Sequence, residues 1–95
     1  MPESGQPPRR RATALRYEQG RHAPEVVATG AGLIADRILA AAREAGVPVR
    51  HDPALAQALA ALDLGDEVPQ PLWTAVAETL AWAYRLDAGA ADRRH

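Results

Sequence analysis

The sequence predicts an α/β domain: a small mixed sheet of about three strands flanked by three helices, in the order strand, strand, helix, strand, helix, helix. Three observations carry that prediction. A short apolar run, Val26, Val27 and Ala28, stops at Gly30 and Gly32, the pattern of a buried strand ending in a tight turn. Ile34, Ile38, Ala41 and Ala45 then recur at about 100° per residue on one stripe, with Asp36, Arg37, Arg43 and Glu44 opposite. Asp52 and Pro53 form an N-cap and first-turn proline, followed by Leu55, Leu59 and Leu62 at spacings of four and three.

The folded unit predicted from these signals spans residues 12–86. Residues 12–18 alternate small or apolar with polar side chains and stop at Gln19 and Gly20, which marks a first strand. Residues 24–29 form the second. The helix over 31–45 ends at Gly46, a left-handed cap, and Val47, Val49 and His51 make a short third strand that Pro48 confines to an edge or end of the sheet. The helix opened by Asp52 ends near residues 63–65, residues 66–69 form a loop, and Pro71 opens a last helix to about residue 86. On that helix Leu72, Val76, Leu80 and Ala83 make the core stripe. Trp82 follows Trp73 by nine residues, half a turn away, so it either packs under the C-terminal tail or belongs to an exposed contact patch.

The ends differ in composition. Residues 1–11, MPESGQPPRRR, combine three prolines with an Arg run and no apolar spacing, and are expected to form a disordered arm. Residues 87–95, DAGAADRRH, have no stripe to bury and are expected to fray.

Composition narrows the chemistry. The 95 residues are 47% hydrophobic but include no Phe and only two Trp and two Tyr, so the core is built from Leu, Val, Ile and Ala. Without Cys there is no disulfide framework, thiolate nucleophile or thiolate metal site. Eleven basic residues, all Arg, against twelve acidic ones leave a net charge of −1, which disfavours whole-surface binding to nucleic acid. An uncharged stretch such as 68–77, than which none is longer, is far short of the ~20 apolar residues of a membrane helix, and the chain reads as cytoplasmic, without membrane insertion.

Each chemical motif has a plainer reading. Gly30, Gly32 and Ala35 after an apolar strand, with Asp52 further on, imitate a dinucleotide fingerprint, but a Rossmann domain needs more strands than this chain supplies, and Asp52 is explained as a helix cap. His22, His51 and His95 are isolated, so no metal site is expected. Asp63, Asp66 and Glu67 read as a solvated loop. No Ser or Thr has a His beside it, so the chain reads as no enzyme and as needing no cofactor. Arg9, Arg10 and Arg11 beside Pro7 and Pro8 are candidate contacts to phosphates or an acidic partner, against the plainer reading of a solubilising tail.

The strings ALRYEQGRHAPEVVATGAGLIADRI, AREAGVPVRHDPALAQAL and LGDEVPQPLWTAVAETLAWAYRL, in this order, resemble the cytoplasmic domain of the FlhB/YscU family, the export-switch proteins of flagellar and virulence type III secretion. The resemblance covers about residues 12–86. Its most specific parts are AxxLRY, the VVATGxG turn, the AxxxGVPV and DPxLA junction, and the AVAExLAWxYRL helix. It implies the family's α/β domain, a small sheet flanked by helices.

Full-length members carry a four-helix membrane domain and cleave themselves at an Asn-Pro-Thr-His loop. Counting back from Leu15, that loop falls on Pro7, Pro8, Arg9 and Arg10, where only Pro8 matches. Self-cleavage uses the Asn side-chain amide, which Pro7 lacks, so no autocleavage is predicted. The resemblance further implies a protein–protein interaction module of type III, most plainly flagellar, export or substrate-specificity switching. Its partners would be export-apparatus proteins, exported substrates or their chaperones, or a truncated or cleaved full-length relative, met in the cytoplasm or at the export gate. The positions matching the family's docking patch are Ala23, Pro24, Ala77 and Leu80; Trp82 and the Arg arm are contact candidates from the residues alone. In the family the sheet includes a strand before the cleavage loop, which residues 1–11 do not replace, so an unpaired sheet edge is expected as a template for a partner strand. The alternative from another class is a small nucleotide or nucleic-acid binder using the Gly30/Gly32 turn and the Arg arm.

Overall fold

The computed structural model describes residues 10–18 and 20–92, the last six of these by backbone alone. Two strands, β1 (Arg11–Arg16) and β2 (Glu25–Ala31), pair antiparallel, with Ala12 opposite Gly30 and Arg16 opposite Glu25. The register shifts between Ala14 and Leu15, which face Ala28 and Val26, so Val27 is the extra residue of a β-bulge and is turned out to 40% exposure. Helices α1 (Leu33–Glu44), α2 (Pro53–Leu59) and α3 (Trp73–Asp92) follow, the last preceded by a 3₁₀ turn over Gln70–Leu72.

The expected third strand does not form. Residues 47–51 form no regular element, Val47 and Val49 are exposed, and no strand pairs with them among the described residues. Pro48 removes one ladder donor, and the backbone of this segment is tied at its start by the helix cap: Gly46, at φ 74, gives its N–H to Arg43, and the Val47 N–H reaches back to Ala42 at 2.8 Å. The free edge of β2 is taken instead by the segment read as a loop. Val26 N–H donates to Asp66 O at 2.9 Å, Gly65 N–H to Val26 O at 2.8 Å and Val68 N–H to Pro24 O at 2.8 Å, with a bridge between Glu25 and Glu67. The sheet is therefore two strands plus one bridging segment. The outer edge of β1 has no strand beside it among the described residues.

Helix α1 buries a different stripe from the one expected. Ala35 is fully buried and Ile38, Leu39 and Ala42 half-buried, while Ile34 is 56% exposed and Ala41 and Ala45 lie in solvent. The rotation follows from the turn. Gly32 stands at φ 61, ψ −128, donates to Arg10 O and accepts from Asp36 N–H, which starts the helix close against the strands. Ile34 then lies over the backbone of Gly30, where a side chain would collide with it, and Ala35 takes the inward position.

Asp52 caps α2 as predicted, its Oδ1 accepting from Leu55 N–H at 3.1 Å. The helix ends at Leu59, short of 63–65, and Leu62 reaches the core from the turn that follows. The core is formed by Leu55, Leu59, Val68 and Val76, with Leu15, Leu72, Trp73, Ala75 and Leu80 packed around it. Helix α3 continues past residue 86 to Asp92, so the chain is helical where a frayed tail was expected. At the other end Arg10 and Arg11 belong to the folded unit: Arg11 opens β1 opposite Ala31, and Arg10 pairs with Asp36 at 3.2 Å. Pro7, Pro8 and Arg9 lie outside the described residues.

Candidate functional site

The sheet extension decides where a site can form. By pulling residues 65–68 onto β2, it sets the segment before β2 beside the start of α3, and an open depression of about 460 Å³ lies between them, lined by His22, Ala23, Glu67, Val68, Pro69, Gln70 and Trp73. Its floor is rigid: Ala23 and Val68 are 2% and 1% exposed. Its wall is fixed by a hydrogen bond, the Trp73 indole N–H donating to Val68 O at 2.7 Å, and the ring of His22 meets that of Trp73 edge-on, centroids 5.7 Å apart at 78°.

The candidate patch residues divide by burial. Ala23 and Pro24 are buried, Leu80 is half-buried against the core, and Ala77 is exposed. Ala77 and Leu80 stand four and seven residues after Trp73, so the helix carries their positions away from the depression along one side of α3. Trp82 is half-buried. On the helix wheel the core stripe of Leu72, Val76, Leu80 and Ala83 is flanked by Trp73 on one side and by Ala75 and Trp82 on the other, so each Trp meets one margin of the stripe.

Beside this site, one acidic group is tied up by Arg. Arg16 and Arg21 hold the Glu25 carboxylate at 2.6 and 2.8 Å, and the hydrogen bond from Arg16 is the main reason that it titrates below the ordinary carboxylate range. The Arg16 guanidinium is correspondingly pushed up by the same bond.

The sequence reading missed His22, Glu67 and Trp73 as a group. His22 is isolated in the chain and Glu67 sits in an acidic run; a lone apolar Val68 between Glu67 and Pro69 was the available sign that the loop is anchored. The glycines serve the turn, Gly30 by lacking a side chain and Gly32 by its backbone angles, and the nucleotide reading is not favoured. Among the described residues there is no cluster of three His, Asp or Glu able to hold a metal, and no helix long and apolar enough to cross a membrane.

Comparison with known proteins agrees with this architecture. Over 90 residues the chain is 40% identical to the uncharacterized protein YlqH of Bacillus subtilis (strain 168), covering 94% of this chain and 97% of that protein. It is 46% identical over 77 residues to the flagellar biosynthetic protein FlhB of Salmonella typhimurium, covering 79% of this chain but 20% of that protein, so the chain spans about a fifth of the FlhB length. The fold superimposes on the crystal structure of the cytoplasmic domain of FlhB from Shewanella putrefaciens with a TM-score of 0.82 and 32% identity, over 87% of this chain and 69% of that one. Residues 7–83 match the model of one family, and with the antiparallel pair, the three helices and these relatives in agreement, the chain belongs to the FlhB HrpN YscU SpaS family of type III secretion and flagellar export.

Proposed function

We propose that this chain is a non-enzymatic, non-cleaving docking module of type III export, flagellar in setting, that binds exported substrates or soluble parts of the export apparatus in the cytoplasm or at the export gate. The observation that carries the reading is the family match over residues 7–83, joined to the exposure of Ala77 on an open face of α3. The loss of self-cleavage follows from side-chain chemistry: the chain contains no Asn, so no carboxamide of that type is present to attack its own backbone. The outer edge of β1, beside which no strand lies among the described residues, supports a second contact of the same module, a strand donated by a full-length relative.

The test is calorimetric titration of the purified chain with individual export substrates, with substrate–chaperone complexes and with the soluble domain of a full-length relative from the same cell. Ala77→Asp is the surface variant of choice, since Ala77 is exposed, whereas a charge at the buried Ala23 would unfold the domain. Binding by the parent that weakens at least about tenfold in Ala77→Asp is the expected result. Absence of binding to all three classes of partner would remove the reading.

A further inference from the structure

We propose that the depression between His22 and Trp73 receives a single Lys or Arg side chain from an extended segment of a docking protein. The inference rests on the docking reading above and gives it a chemistry. Among the described residues, Glu67 is the only carboxylate that lines the depression, and no Arg lines it. Its main chain is held on both sides, by the bridge to Glu25 and by the Val68 N–H bonded to Pro24 O, so the carboxylate projects from a fixed point on the rim. Among the described residues no cation pairs with it, whereas Glu25 next along the sheet already holds Arg16 and Arg21. Asp63 and Asp66 in the same loop add negative potential, and the Asp66 carboxylate is occupied by the backbone N–H of Asp63 at 2.8 Å.

The remaining surface suits the stem of such a side chain. Ala23, Val68 and Pro69 offer apolar contact, and the Trp73 ring, held in place through its N–H, offers the best aromatic partner for a cation. A long side chain with an alkyl stem and a charged tip satisfies both halves of the site. A carboxylate would meet Glu67 with like charge, and a purely aliphatic group would use the floor and leave the rim unused.

The experiment is a heteronuclear NMR titration of the isotope-labelled chain with the peptide acetyl-Ala-Leu-Arg-Leu-Ala-amide and with two controls in which norleucine or Glu replaces the Arg. The expected shifts centre on the Trp73 indole N–H, His22 and the amides of Glu67, Val68 and Gln70. The Arg peptide should bind about threefold to tenfold more tightly than the norleucine peptide, the range of one exposed ion pair with one cation–π contact. Glu67→Gln should reduce that preference to the part owed to the Trp73 ring while leaving the norleucine affinity unchanged, and His22→Ala, an exposed position, should weaken the Arg peptide without unfolding the chain. Equal affinity for Arg and norleucine peptides overturns the cation assignment, as do shifts confined to other faces. If both peptides bind equally and perturb Ala77 and Leu80, the docking surface stands and only its charge preference falls; if neither perturbs the depression, the inference fails, and the docking reading is judged separately by the titrations with export substrates.

Discussion

Arg16 on β1 and Glu25 on β2 face each other across the sheet, guanidinium nitrogen 2.6 Å from carboxylate oxygen, at the register position where the ladder ends. Arg21, in the connection between the strands, closes on the same carboxylate at 2.8 Å, so the hairpin is tied at its connected end by one acid and two bases. The folded-state pKa of Glu25 is lowered, chiefly by the hydrogen bond from Arg16. Its contribution to stability is therefore complete above the ordinary carboxylate pKa and is lost as the pH falls through the depressed folded value. Thermal unfolding followed from pH 7 down to pH 2 should show a loss of stability on the acid side that is smaller in Glu25→Gln; identical acid slopes for the two proteins would show that other carboxylates govern it.

Gly30→Ala should destabilise the domain by about 1–3 kcal/mol, because the added Cβ collides with the side chain of Ile34 and the first turn of α1 must move away from β2. Urea unfolding monitored by circular dichroism gives the value. The double variant Gly30→Ala, Ile34→Ala should recover part of the loss, since it removes the branch that comes closest while the Cβ of residue 34 still crowds the new one.

Burial separates two leucines of the same size. Leu59 is 4% exposed at the centre of the core and Leu33 is 77% exposed at the start of α1. Leu59→Ala should cost about 2–5 kcal/mol, enough to leave so small a domain largely unfolded, while Leu33→Ala should stay within about 0.5 kcal/mol of the parent. Denaturation midpoints of the two variants side by side would show whether the core is centred where these burials place it.

Asp52→Ala should cost about 1 kcal/mol, because it leaves the Leu55 N–H without its cap at the start of a helix of only seven residues. Amide exchange resolves the local effect. The protons of α2 should exchange faster in the variant than in the parent by a larger factor than those of α3, and a uniform increase would argue that the cap supports the whole fold rather than this helix.

Local signals made several elements legible in the chain. The Asp52-Pro53 start of α2, the Gly46 stop of α1 and the apolar stripe of α3 each depend on residues within one or two turns, and each stands where those residues placed it. The family was legible for a related reason: its motifs are contiguous strings. The candidate patch was legible only as positions, and its division into buried Ala23 and Pro24 and exposed Ala77 was not.

What the sequence alone determined is thus the first two strands and three helices in their order, the caps and the family; what the tertiary structure decided is pairing and facing, including the absence of the third strand expected over 47–51. Residues 47–51 and 65–68 are both short and only weakly apolar, and the second joins the sheet because the fold carries it to the free edge of β2, which no local periodicity encodes. The buried face of α1 was settled the same way. An Ala-rich helix has nearly equivalent stripes, and the close approach at Gly30 selects the one through Ala35. The depression at Trp73 depends on the first of these choices, since His22, Glu67 and Trp73 are distant in the chain and meet because a backbone ladder between β2 and residues 65–68 brings their segments together.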